Sequence, residues 1–284
     1  MDEGKIIQYY PGHMYRTKRE IGDIISQIDV VIEVIDSRIP YSSRIPDLKK
    51  LTNGKKSIIV FGKYDLCDTI ETDKWIKKYE REGNIVVTSD TKNTNDYKKV
   101  IDAVKKLMYE FNERRIEKGL LPKKAKCLVV GVPNVGKSTL INRLAGRNIL
   151  TIGNKPCVTK MISTIRINEY MDLVDTPGML WPKFENQNLA MNLASMTIIK
   201  EEILSIDSIA VHILRMLNKY YKDKLKEVFG IDEYSDDEVE ECFIKIAKHF
   251  NIPVNGEVDY ERVSFVIINT IKQEKLKGIT FDRL

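Results

Sequence analysis

Eight consecutive residues, Gly131-Val-Pro-Asn-Val-Gly136-Lys137-Ser138, carry the spacing G-x-x-x-x-G-K-[ST]. Glycines at these positions let backbone N–H groups curl around anionic oxygens, and a helix starting at the lysine adds partial positive charge at its N-terminus. The run CLVVG (Cys127–Gly131) before the motif reads as a buried strand, and TLINRLAG after it reads as a helix. Strand, loop and helix in that order are the setting the motif requires. The chemistry is capture of nucleotide phosphates. Asn134, Val135, Gly136, Lys137, Ser138 and Thr139 are the contacting positions. Lys137 reaches toward the β- and γ-phosphates and doubles as a catalytic group, while the Ser138 hydroxyl is suited to ligate Mg²⁺.

A second motif, Asp175-Thr-Pro-Gly178, follows the strand-like stretch Tyr170–Val174. A carboxylate at a strand end, downstream of a phosphate loop, can hold Mg²⁺, and the glycine lets a backbone N–H approach a γ-phosphate. Thr159 lies between the two motifs, where a threonine can close over the metal and act in catalysis. A third motif, Gly62-Lys63-Tyr64-Asp65, follows the strand-like SIIVF (Ser57–Phe61), and Thr88-Ser89 follows NIVVT (Asn84–Thr88). These resemble the guanine-reading motifs of GTPases, with Lys63, Asp65 and Ser89 as base-contacting positions. A carboxylate such as Asp65 accepts from both guanine N1–H and the exocyclic amine, a pair that adenine does not offer. In most GTPases these motifs come after DTPG. Here they precede the phosphate loop, the order of a circularly permuted GTPase.

Five segments extend the likeness: YYPGHM (Tyr9–Met14), DSRIP (Asp36–Pro40), GVPNVGKS, VTK (Val158–Lys160) and DTPGMLWPKF (Asp175–Phe184). Over nearly its whole length the sequence resembles the permuted ribosome-assembly GTPases of the YlqF/RbgA type. The resemblance implies a bacterial cytosolic enzyme that binds GTP or GDP with Mg²⁺ and acts on the large ribosomal subunit late in its maturation. It further implies a helical rRNA-binding domain at the C-terminal side and a monomer away from the ribosome. Asn134 is similar to the asparagine that supports K⁺ binding in related GTPases. His13 is the candidate for the water-positioning group by analogy with the family, because the residue after DTPG is Met179, whose thioether can neither donate nor accept the needed hydrogen bonds. Three positions depart from the pattern. Gly62 stands where the guanine motif opens with Asn, Cys157 replaces the glycine of PGVTK, and Tyr9-Tyr10 replaces Trp-Phe.

The elements that must position these residues follow from apolar patterning. VVIEVI (Val30–Ile35), SIIVF, NIVVT and CLVVG read as short buried strands, with helices expected over 72–81 and 96–117. Strand–helix alternation predicts an α/β fold with a parallel-rich sheet. Lys118–Lys126, with its Gly, Pro and basic cluster, reads as a linker. Past Glu185 the spacing turns helical: Ile206 to Tyr220, Val239 to Phe250 (with Asp236 and Asp237 as start signals) and Val263 to Leu276. The expected division is a permuted GTPase domain over 1–184 and a small all-α domain over 185–284. Residues 1–184 carry 33 basic and 23 acidic side chains against 13 and 18 in the remainder, which suits the first part to polyanions. His212 and His249 read as structural. Asp36 and Arg38 read as a strand-end ion pair in preference to an RNA contact.

With 284 residues, 43% of them hydrophobic and 31% charged, the composition excludes disordered and fibrous classes. Four scattered cysteines without a CxxC pair predict reduced thiols and a cytoplasmic protein; no run is long enough to span a membrane. Two other classes stay open at this level. A P-loop kinase is opposed by DTPG and Asp65. A P-loop RNA-binding protein with a degenerate nucleotide site is kept open by Gly62.

Overall fold

The computed structural model describes residues 12–90, 96–150, 162–181, 186–199, 204–253 and 258–284; the side chains of residues 12–14 and 236 are not described. The chain forms α1 (Gly12–Ile24), β1 (Val30–Asp36), α2 (Leu48–Leu51), β2 (Lys56–Gly62), α3 (Thr69–Arg81), β3 (Ile85–Thr88) and α4 (Asp96–Ile116). It continues through β4 (Ala125–Val130), α5 (Lys137–Ala145), β5 (Ser163–Arg166) and β6 (Met171–Asp175), then α6 (Gln187–Ser195), α7 (Ile206–Tyr220), α8 (Lys222–Phe229), α9 (Val239–His249) and α10 (Tyr260–Lys272).

The six strands lie in the order β3-β2-β1-β4-β6-β5. All neighbours pair in parallel except β5, which runs antiparallel to β6. Alternate residues of β1 and β4 go to opposite faces, each covered by helices. That double cover explains why the central strands read as largely apolar runs, with the buried Glu33 of β1 paired to Arg44. On one face Val31, Leu128 and Val130 meet Ile21 and Ile25 of the N-terminal helical segment, and Ile35, Ile59 and Phe61 meet Trp75 and Tyr79 of α3. On the other, Ile32, Val60, Val129 and Leu173 belong to a cluster that runs without a break into α6, α7, α9 and α10.

The structure adds elements that the apolar pattern did not announce. β5 has only Ile165 buried among four residues, so an edge strand of this kind leaves almost no hydrophobic signature. α1 is amphipathic but polar on average, and α8 contributes only Leu225 and Phe229 to the core. A 3-10 turn, Asp236–Glu238, leads directly into α9 behind a capping box in which Ser235 and Glu238 bond reciprocally, so the start signals at Asp236 and Asp237 stand at the head of the helix. The third helical pattern was expected to run to Leu276. α10 stops at Lys272, because Glu274 takes a left-handed conformation (φ 57°) and Lys275 N–H closes back on Thr270 O at 2.8 Å. Cys67, Cys127 and Cys242 are buried free thiols; Cys157 lies outside the described residues. Among the described residues no helix is long and apolar enough to cross a membrane.

Candidate functional site

The sheet order makes β1 and β4 neighbours although nearly a hundred residues separate them. From that junction the chain builds outward in opposite directions, to β2 and β3 on one side and to β6 and β5 on the other. A parallel sheet opens a crevice at the carboxyl ends of its strands at such a reversal point. The loops after β1, β2, β4 and β6 all emerge there.

The loop after β4 carries the phosphate motif. Gly136 caps α5 with φ 100°, Asn134 also takes the left-handed conformation at φ 60°, and α5 begins at Lys137. The Lys137 side chain turns into the loop and donates from Nζ to Gly131 O (2.9 Å) and Val132 O (3.0 Å). Its ammonium therefore sits inside the ring of backbone that a phosphate would occupy. Asn134 Nδ2 donates to Thr197 O at 2.7 Å, which joins this loop to the turn after α6.

The loop after β6 lies against the phosphate loop. Asp175 pairs in register with Val129 and is buried, and Thr176 Oγ1 donates to Val129 O at 2.8 Å. Gly178 has no room for a side chain: a Cβ there would lie 2.9 Å from the backbone of Pro133. Met179 N–H donates to Gly131 O (3.2 Å), while its side chain is buried with Ile21, Leu128 and Val174. Met179 is thus a core residue, in accord with its chemical unsuitability for orienting water.

The loop after β2 carries the base motif. A Cβ on Gly62 would lie 2.7 Å from Val135 O, so β2 ends in direct contact with the phosphate loop. The missing asparagine has a physical counterpart: backbone-to-backbone contact takes the place where a side chain would stand. Lys63 is left-handed (φ 57°), and Tyr64–Leu66 form a single 3-10 turn that presents Asp65, partly exposed. The Thr88-Ser89 loop is fastened to it, with Ser89 N–H donating to Phe61 O (2.8 Å) and Tyr64 N–H to Ser89 O (3.3 Å).

Beneath Lys63 lies a buried charge cluster. Asp36 Oδ1 accepts from Arg38 Nε (2.9 Å) and its backbone N–H (3.0 Å), and Oδ2 accepts from Arg38 Nη2 (2.8 Å), with Lys63 Nζ at 3.2 Å. Burial by itself would raise the Asp36 pKa, but Arg38 and Lys63 outweigh it and hold the carboxyl well below its ordinary range. Burial also pulls Lys63 below the usual lysine value, against the opposing pull of Asp36. The strand-end pair expected of DSRIP is present. It also reaches the base motif, a link that spacing alone did not show.

The structure brings Lys63, Asp65, Ser89, Asn134–Thr139, Asp175 and Gly178 to one end of the sheet. The His13 side chain, Thr159, and Pro182 to Glu185 lie outside the described residues. Asp282, Asn192 and Thr197 tie these loops to distant segments and carry no mark in the sequence, because no local pattern announces a long-range hydrogen bond.

A parallel α/β sheet with a phosphate loop at its switch point and the base motif placed before it defines a P-loop GTPase in permuted order. Residues 126–248 match the family model described as 50S ribosome-binding GTPase. Ribosome biogenesis GTPase A of Bacillus cereus is 37% identical over 98% of this chain and 94% of its own, and that of Thermotoga maritima 28% over 98% and 94%. The crystal structure of GNP-bound YlqF from T. maritima superposes with a TM-score of 0.64 at 25% identity, covering 94% of this chain and 98% of that one. The chain belongs to the ribosome biogenesis GTPase A family, and it is a GTPase.

Proposed function

We propose that this GTPase binds GTP across the β1/β4 crevice and uses the nucleotide state to control its attachment to the large ribosomal subunit during assembly in the cytoplasm. Asp65, Lys63 and Ser89 read the base. Asn134, Val135, Gly136, Lys137, Ser138 and Thr139 hold the phosphates, and Gly178 contacts the γ-phosphate. The observation that supports this most is the contact between Gly62 and Val135 O, which joins the base loop to the phosphate loop from opposite halves of the sequence.

The donor set suits Mg²⁺: the Ser138 hydroxyl and the Asp175 carboxylate are hard oxygen ligands, with Thr159 as a third. Mg²⁺ would supply charge neutralisation at the β- and γ-phosphate oxygens. The Asn134 amide nitrogen is engaged by Thr197 O, which leaves its Oδ1 as the end a K⁺ would use. His13, at the start of α1, orients the attacking water in this reading. Lys137 keeps its ammonium inside the loop and stabilises negative charge as the phosphoryl group departs. On the polyanion side, exposed Lys272 at the end of α10 and exposed Lys275 and Lys277 beyond it neutralise rRNA phosphates, so attachment weakens with salt.

Sedimentation with large ribosomal subunits in GTP, GDP and a non-hydrolysable GTP analogue tests the proposal. Retention with the analogue and loss with GDP is the expected result. Equal behaviour in all three states would overturn it.

A further inference from the structure

After α10 the chain does not trail into solvent. Leu276, Ile279, Thr280 and Phe281 are buried, and residues 276–284 thread between the helices and the loops after β1 and β2. Gly278 N–H donates to Leu66 O at 2.8 Å, one residue beyond Asp65. Thr280 Oγ1 lies 2.8 Å from Thr72 Oγ1 and accepts from Asp68 N–H at 3.2 Å. Phe281 N–H donates to Arg38 O at 2.7 Å, on the residue that neutralises Asp36 beneath Lys63.

Asp282 is the hub. Its Oδ2 accepts from the backbone N–H groups of Tyr41 and Ser42 (2.7 Å each), and its Oδ1 accepts from Ser42 Oγ (2.6 Å) and Asn192 Nδ2 (2.9 Å). Because the carboxylate fixes the donor end of Asn192, that residue's Oδ1 faces His212 Nε2 at 2.9 Å, which must then carry the proton. A buried polar chain thus runs from α7 through α6 to the loop after β1. No residue of 276–284 belongs to the base motif, yet hydrogen bonds from this segment reach the loops on both sides of it.

We infer that residues 276–284 are a positioning segment for guanine recognition: through Leu66 and Arg38 they set where Asp65 and Lys63 stand, and so the selectivity for the guanine 2-amino group. The inference rests on the reading that Asp65 faces the base. Buried polar networks constrain the geometry of the loops they join.

The test compares GTP with ITP, which lacks the 2-amino group, in equilibrium binding to the full chain and to two variants. Thr280→Val keeps the side-chain shape and removes the hydroxyl bonds. Asp282→Asn turns one acceptor toward N–H groups into a donor. In both, GTP affinity is expected to fall roughly three- to tenfold while ITP affinity changes less, so that the GTP/ITP ratio drops. A parallel fall for both nucleotides, or no fall, would overturn the inference by making the segment a staple only. Should a variant fail to fold, hydrogen exchange on the unaltered chain decides. GDP binding is expected to slow exchange of the Gly278 and Phe281 amides, and unchanged rates there would overturn the inference. If the unaltered chain did not discriminate GTP from ITP, the base-reading role of Asp65 would itself be wrong.

Discussion

On the β4 side of the crevice, order comes from the backbone. Gly136 and Asn134 take left-handed conformations, Lys137 bonds to carbonyls of its own loop, and Gly178 presses on Pro133. On the β1 side, order comes from buried charge and from segments far away in sequence. Asp36, Arg38 and Lys63 form a desolvated cluster, and residues 276–284 reach the loops after both β1 and β2. The difference teaches why one half is a motif and the other is not. A loop ordered mainly by its own backbone has few sequences that can build it. A loop held by tertiary contacts can change its own residues, as at Gly62, while its position is kept from outside.

The contrast breaks most visibly at Asp36. Asp36→Asn leaves two buried cations facing a neutral amide, and destabilisation of about 3–5 kcal/mol is expected in urea unfolding. Because its pKa is depressed in the folded state, the stability Asp36 contributes is present above its ordinary value of 3.8 and is lost as pH falls below it. Lys137→Ala acts on the other half. Hydrolysis should drop by about 10²- to 10³-fold with little change in melting temperature, the loss of one charged donor from a preorganised site.

His212 sharpens the comparison by pH. Burial, with a smaller contribution from Arg215, pushes its pKa down to about 4 from 6.5. The unfolded chain therefore binds the proton first, and stability falls as pH drops from 6.5 toward 4, by about 3 kcal/mol across that window. Chemical denaturation of His212→Gln should show a flatter pH profile there; an unchanged slope would remove His212 from the buried polar chain. The smallest effect is expected at Gly62→Ala. Its Cβ would meet Val135 O at 2.7 Å, so the phosphate loop must shift, at about 1–3 kcal/mol, and nucleotide affinity should weaken with it.

β1, β2 and β4 were legible because burial on both faces makes them largely apolar runs; β3, an edge strand in which only Val87 is buried, was legible from its β-branched residues, and the expected bounds agree with β1–β4 to within two residues. The order of the three motifs implied the permutation before any topology was known. β5 was not legible, since one buried isoleucine in four residues carries no periodicity. Nor was the path of residues 276–284. Its hydrogen bonds are made by backbone N–H groups and by Thr280 and Asp282, residue types that in sequence are indistinguishable from those of an exposed turn. For the site, Lys63 and Asp65 could be named from spacing. Their support from Asp36 and Arg38 could not, because only the β1–β2 pairing puts Asp36 opposite Gly62.

The central claim is that two halves, exchanged in sequence order, meet as one guanine-nucleotide site. Competition binding with Asp65→Asn tests it most directly. Replacing one acceptor oxygen by an NH₂ donor reverses the match to the 2-amino group and suits the 2-oxo group of xanthine instead. Loss of GTP affinity together with a gain for XTP is the predicted result. Retention of GTP over XTP by a folded Asp65→Asn protein would contradict the account.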